Sequence, residues 1–170
     1  IADDIRLLAS GPRLGLSEIE LPALQPGSSI MPGKVNPVIP EMACQVANHV
    51  VGNDAAITAA AMSGHLELNT QLPLIAINLL ESIDILSSAA RTFADKCIEG
   101  IVANKDRCRK NIEMSLAMVT ALVPKIGYAK ASEIAKRAYT TGKSIRDVAD
   151  DMMILSEEEL NVLLNIDSLI

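Results

Sequence analysis

The segment from Pro73 to about Ile98 constrains this chain most. Leu74, Ile75, Ile77, Leu79, Leu80, Ile83, Ile85, Leu86, Ala89, Ala90, Phe93, Ala94 and Cys97 follow one another too densely for a single apolar stripe. A helix that is apolar on most sides is buried on most sides. At about 1.5 Å per residue it is a rod of roughly 35–40 Å. A second long pattern precedes it. Met42, Val46, Val50, Ile57 and Ala61 recur at helical spacing to about Met62. Pro37 and Pro40 are tolerated at the start of that helix, and Glu41 suits its N-terminus. Two such rods cannot cover each other fully. They need further helices, from elsewhere in the same protein or from other subunits.

The predicted fold class is therefore all-α: the end of a long central helical bundle, over residues 1–100, followed by a small C-terminal helical domain over 101–170. Aromatic residues are nearly absent, so Leu, Ile, Val, Ala and Met must fill the core. The methionines are read as core fillers, and Gly52 as the mark of a close helix crossing. Residues 1–9 read as the end of a helix, with Ile1, Ile5 and Leu8 on one face and Gly11 and Pro12 as its stop. That pattern begins at the first residue without a cap, as expected of a piece of a longer protein. After Gly100 helices are expected near 104–122, 128–140, 144–151 and 156–164, with Asn104 and Ser156 as N-caps. No strand-like alternation is evident.

Several function classes are disfavoured. The net charge is −6, and no basic face dense enough for nucleic acid is present. Cys44, Cys97 and Cys108 are far apart with no C-x-x-C spacing, so reduced thiols are expected and a zinc site is not. No signal peptide is recognisable, and no uninterrupted apolar run reaches the length of a membrane span. His49 reads as a satisfied buried polar residue. Asn53 and Asp54 read as hydrogen-bonding groups between packed helices.

Chemistry concentrates in "QPGSSIMPGKVNPVIPE", residues 25–41. It belongs to a long proline-broken connection over 11–36, and connections of that length are usually functional. A P-loop is excluded, because five residues separate Gly27 from Gly33 and Val35 follows Lys34. What remains is Ser28 and Ser29 beside a flexible Gly27, the cation of Lys34, and Asn36 before a helix N-terminus. Such a set suits a small carboxylate. The same residues also fit a stiff loop whose serines merely satisfy turns.

"GSSIMPGKVNP" resembles the signature of the aspartase/fumarase superfamily. "LASGPRLGLSEIELP", "GND", "LELN" and "VTALVPKIGYAKASEIAKRA" extend the resemblance over essentially the whole chain. It implies reversible elimination from a small dicarboxylate to give fumarate, without cofactor or metal. By resemblance Ser28 is the general base, Ser29, Lys34 and Asn36 bind substrate, and Gly27 and Gly33 are hinges of a loop that closes over it. Glu41 matches a glutamate that supports a histidine from another subunit, or is simply a helix-start acid. The resemblance further implies a cytoplasmic homotetramer with sites shared between subunits. "VNPVIPE" is similar to the ammonia-eliminating aspartase branch, and "IGYAKASEIAKRA" to the water-eliminating fumarases. The first lies nearer the site, so elimination of ammonia is favoured. A non-catalytic helical oligomerisation module is the reading from another class. The other two signature segments of the superfamily are not among these residues, so this chain alone is expected to be inactive.

Overall fold

The computed structural model describes residues 1–25 and 27–166; the loop proline Pro26 and the C-terminal residues 167–170 lie outside the described residues. The chain forms two compact units, Ile1–Ala103 and Asn104–Ile170.

In the first unit, helix α1 spans Ala2–Leu8, strand β1 is Ile19–Glu20, and helices α2 and α3 span Val38–Ala61 and Leu72–Lys96. A 3-10 turn at Ile98–Gly100 leads into strand β2, Val102–Ala103. The long helices start where their prolines allow. Pro37 is the N-cap of α2, Pro40 lies in its first turn, and Pro73 opens α3. They form a helical hairpin. Asn69 in the connection donates to the Ala60 carbonyl at 2.9 Å, closing the end of α2. Midway along the pair, the buried Asn53 of α2 donates to Glu81 Oε2 and to Ser82 Oγ of α3, each at 3.1 Å. Asn53 thus bridges the helices as the sequence suggests, whereas Asp54 is exposed. His49 is satisfied but not buried: its Nε2 lies 3.3 Å from Glu81 Oε2 with the ring half exposed.

The two rods do bury only a fraction of their apolar surface. Ile77 and Leu80 of α3 are each 65% exposed, and Leu79, Ile83 and Leu86 are open as well. Gly52 meets no neighbour where a Cβ would stand, so among the described residues no helix crosses closely there. Most methionines are not core fillers. Met62 is 81% and Met153 90% exposed among the described residues, Met153 in the turn after the helix that ends at Asp151. By length and composition, Leu72–Gly100 is apolar enough to cross a membrane, which the sequence reading did not anticipate. A third of the way along it stands Glu81, tied to His49 and Asn53. A charged, hydrogen-bonded group there fits a helix of a protein bundle better than one in hydrocarbon.

The small antiparallel ribbon β1–β2 pairs Ile19 with Ala103 and Glu20 with Val102. Two residues per strand are too few to leave an alternating pattern in the sequence, so it escaped the sequence reading. It ties the approach to the loop to the segment after α3. Gly100 sits so close to the Pro22 ring that a side chain there would overlap it. Cys97 is buried beside Leu21, Pro22, Pro37 and Pro40, and that burial pushes its thiol pKa up. The loop therefore leaves a packed base.

In the second unit, α4 spans Lys105–Met114, a 3-10 segment spans Leu116–Leu122, and α5, α6, α7 and α8 span Val123–Ile126, Tyr128–Thr141, Ile145–Asp151 and Glu157–Leu163. The single helix expected over 104–122 is broken at Ser115. Its backbone is extended, and its hydroxyl accepts from the Ala117 N–H, a local bond that competes with helix continuation. Asn104 and Ser156 cap helices as anticipated, and Ser144 forms a further capping box with Asp147. Ala131, Ile134 and Ala138 are the buried residues of α6, and Ile134 and Ala138 pack in one cluster with Leu122, Val148 and Leu160.

Glu159 Oε2 accepts from the Ser156 N–H at 3.0 Å, and Oε1 lies 3.0 Å from Lys125 Nζ. These partners, the backbone N–H foremost, hold the Glu159 carboxyl below its ordinary value of 4.5. A group depressed in the folded state stabilises above its unfolded pKa, and that contribution is lost as pH falls through the folded one. Glu159→Ala is therefore expected to lower the melting temperature at neutral pH. The difference from the unchanged protein should narrow below about pH 4. Melting curves across that range check it.

Candidate active site

The loop between β1 and α2 closes on itself at its neck. Gly27 N–H donates to the Lys34 carbonyl at 2.8 Å, and Asn36 Nδ2 donates to the Gly27 carbonyl at 2.9 Å. Gly27 is thus held at both backbone groups. A Cβ there would overlap the Lys34 carbonyl, so glycine is required by close approach. In this conformation Gly27 anchors the neck through both of its backbone groups. Gly33 differs: its φ is +79° and nothing lies within 4 Å of where a Cβ would stand. The tip between them is open, with Ile30 90% exposed.

Ser28 lies at the start of the closed turn, half-buried. Its Oγ accepts from the Ile30 N–H at 3.1 Å and the Met31 N–H at 3.3 Å. Two donors aimed at one hydroxyl oxygen favour negative charge on it, as a serine acting as a base needs. Ser29 is exposed beside it.

Lys34 and Asn36 face a groove of about 550 Å³, lined also by Gly11, Ser17, Glu20 and Pro37. Lys34 is exposed and makes no ion pair among the described residues. Ser28 and Ser29 are not part of that lining. The structure thus brings Gly27, Lys34 and Asn36 into one hydrogen-bonded neck, and places the serines on the adjoining turn. Glu41 sits in the first turn of α2. Neither His49 nor His65 reaches it; His49 is engaged with Glu81.

Sequence reasoning missed two features. One is the donation of two backbone amides to Ser28. The other is Ser17, a serine at φ +52° in the wall of the groove. The hydrogen-bonding letters of the loop could have pointed to the first. No sequence signal points to the second, because serine does not demand that conformation.

Residues 1–52 match the family described as Lyase, and residues 118–170 match Fumarase C C-terminus. An aspartate ammonia-lyase of Bacillus subtilis is 51% identical over 97% of this chain and 35% of its own length. A class II fumarate hydratase of Pseudomonas aeruginosa is 53% identical over 97% of this chain and 36% of its own length. The chain thus spans about a third of the length of these curated relatives. A crystal structure of fumarate lyase:delta crystallin from Brucella melitensis, bound to cobalt, superposes with a TM-score of 0.90 at 52% identity. That match covers 96% of this chain and 35% of that one. A class II fumarase from Schistosoma mansoni superposes with a TM-score of 0.88 at 40% identity, over 96% of this chain and 34% of its own.

Proposed function

From the premise that this chain belongs to the lyase family of aspartases and class II fumarases, we propose that the full-length protein eliminates ammonia from L-aspartate to give fumarate. The observation that carries this reading is the pair of backbone amides on Ser28 Oγ, next to a groove holding Lys34 and Asn36. The proton to be removed sits on the carbon beside a carboxylate and is weakly acidic. Its loss places a second negative charge on that carboxylate. The barrier falls only where fixed donors and cations meet the developing charge.

Ser28 takes the proton, its oxygen stabilised as an alkoxide by the Ile30 and Met31 amides. Lys34 meets the charge on the carboxylate, and the amide atoms of Asn36 not engaged with Gly27 orient it. Ser29 contributes a second hydroxyl. The tip between Gly27 and Gly33 closes over bound substrate and excludes water, which strengthens each charge contact. Glu41 supports a histidine supplied by another subunit. That role accords with the distance of this chain's own histidines from it.

The assembly is a homotetramer in the cytoplasm, with sites shared between subunits and no cofactor. The exposed Ile77, Leu80 and Ile83 of α3 support it, since they need partner helices to cover them. The relatives that are fumarate hydratases favour one second reading, loss of water from malate. Ultraviolet absorbance of fumarate decides between them. The full-length protein should form fumarate from L-aspartate with release of ammonia, and at a much lower rate from malate. Faster formation from malate would establish the second reading, and none from either would remove both.

A further inference from the structure

We propose that Ser17 is a further substrate-binding residue, whose hydroxyl donates to a substrate carboxylate oxygen in the groove of Lys34 and Asn36. The inference rests on the function proposed above and adds a residue to that site. Three observations carry it.

The first is strain. Ser17 has φ +52°, in the left-handed region that glycine occupies without penalty and serine does not. The second is that the surroundings enforce this conformation. Ser17 N–H donates to the Ser10 carbonyl at 2.7 Å, and Glu18 N–H donates to the Leu8 carbonyl at 2.9 Å. Ser10 Oγ, itself donating to the Leu7 carbonyl at 2.6 Å, accepts from the Leu16 N–H at 3.1 Å. A backbone held so firmly gives its one side chain a fixed direction. The third is chemical. Ser17 lines the groove with Lys34 and Asn36, is half-buried, and its hydroxyl has no hydrogen-bond partner among the described residues.

Glycine would suit the backbone better. A serine held in this strained conformation, with an unused hydroxyl in the wall of the groove, fits a side chain retained for a ligand contact. A carboxylate is the matching ligand class. It accepts from a hydroxyl and an ammonium at once, and the groove already holds Lys34. Glu20 in the same wall carries the opposite charge, which makes a neutral donor useful beside the single lysine.

Two substitutions in the full-length protein separate binding from folding. Ser17→Ala keeps the backbone strain and removes the hydroxyl. Ser17→Gly removes both and cannot fail to fold through strain. Both should raise KM for aspartate and Kd for succinate, a non-reacting dicarboxylate, by about tenfold, and leave kcat within about twofold. Ser17→Gly should melt at or above the temperature of the unchanged protein. Unaltered succinate affinity in both variants overturns the inference and reduces Ser17 to a feature of loop geometry. Because the titration needs no turnover, the two readings fail separately. An unchanged protein that makes no fumarate overturns the proposed reaction, while weaker succinate binding by the Ser17 variants still upholds this inference.

Discussion

Replacing Ser28 by Ala in the full-length protein is expected to lower turnover about a thousandfold, the range set by loss of a positioned base. A serine hydroxyl is a poor base, so its usefulness depends wholly on what stabilises its oxyanion. The Ile30 and Met31 amides both point at Ser28 Oγ. They lie at 3.1 and 3.3 Å, distances that shorten readily when the acceptor becomes charged. Alanine leaves those amides in place but removes the atom proposed to take the proton. The loop neck does not involve the Ser28 side chain, so Gly27, Lys34 and Asn36 should keep their arrangement. The loss should therefore fall on kcat, with KM changed much less. Steady-state rates measured as fumarate absorbance check this, and near-normal turnover would remove Ser28 from the role of base.

Gly27→Ala should be nearly as damaging for a different reason. A methyl group at this position overlaps the Lys34 carbonyl. The neck must open to accept it, breaking the Gly27–Lys34 and Asn36–Gly27 hydrogen bonds together. Ser28, Lys34 and Asn36 all move with it. A displacement of about 1 Å at a catalytic group costs on the order of a hundredfold in rate. Gly33→Ala is the control. It also places a side chain in the left-handed region, at φ +79°, but meets no neighbour. Its penalty is conformational, about 1–2 kcal/mol, and the neck stays closed. Turnover of Gly27→Ala should therefore fall well below that of Gly33→Ala. Equal rates would mean that closure of the neck does not organise the site.

The long helices were legible because their signal is dense. Apolar residues at helical spacing with prolines at their starts define α2 and α3 almost to the residue. Their incomplete burial was legible too, from an apolar circumference wider than one partner can cover. Other features were not. The break at Ser115 depends on one hydroxyl choosing the Ala117 amide over solvent, a choice serine makes only in context. Exposed methionines cannot be told from buried ones by spacing alone, because both recur at the same helical intervals. The candidate site came from the loop letters and the resemblance they carry. Its geometry was harder to foresee. Gly27 reads from the sequence as a hinge, and the structure adds a reason for glycine that the letters do not carry, the close approach of the Lys34 backbone.

The central claim is that this loop divides its labour, Ser28 taking the proton and Lys34 holding the carboxylate. Calorimetric titration of the full-length protein with succinate tests it most directly, since no reaction intervenes. Ser28→Ala should bind succinate within about threefold of the unchanged protein, while Lys34→Ala should bind at least tenfold more weakly, the usual cost of a charge-assisted hydrogen bond. Retained binding in Lys34→Ala, or lost binding in Ser28→Ala, would contradict that division.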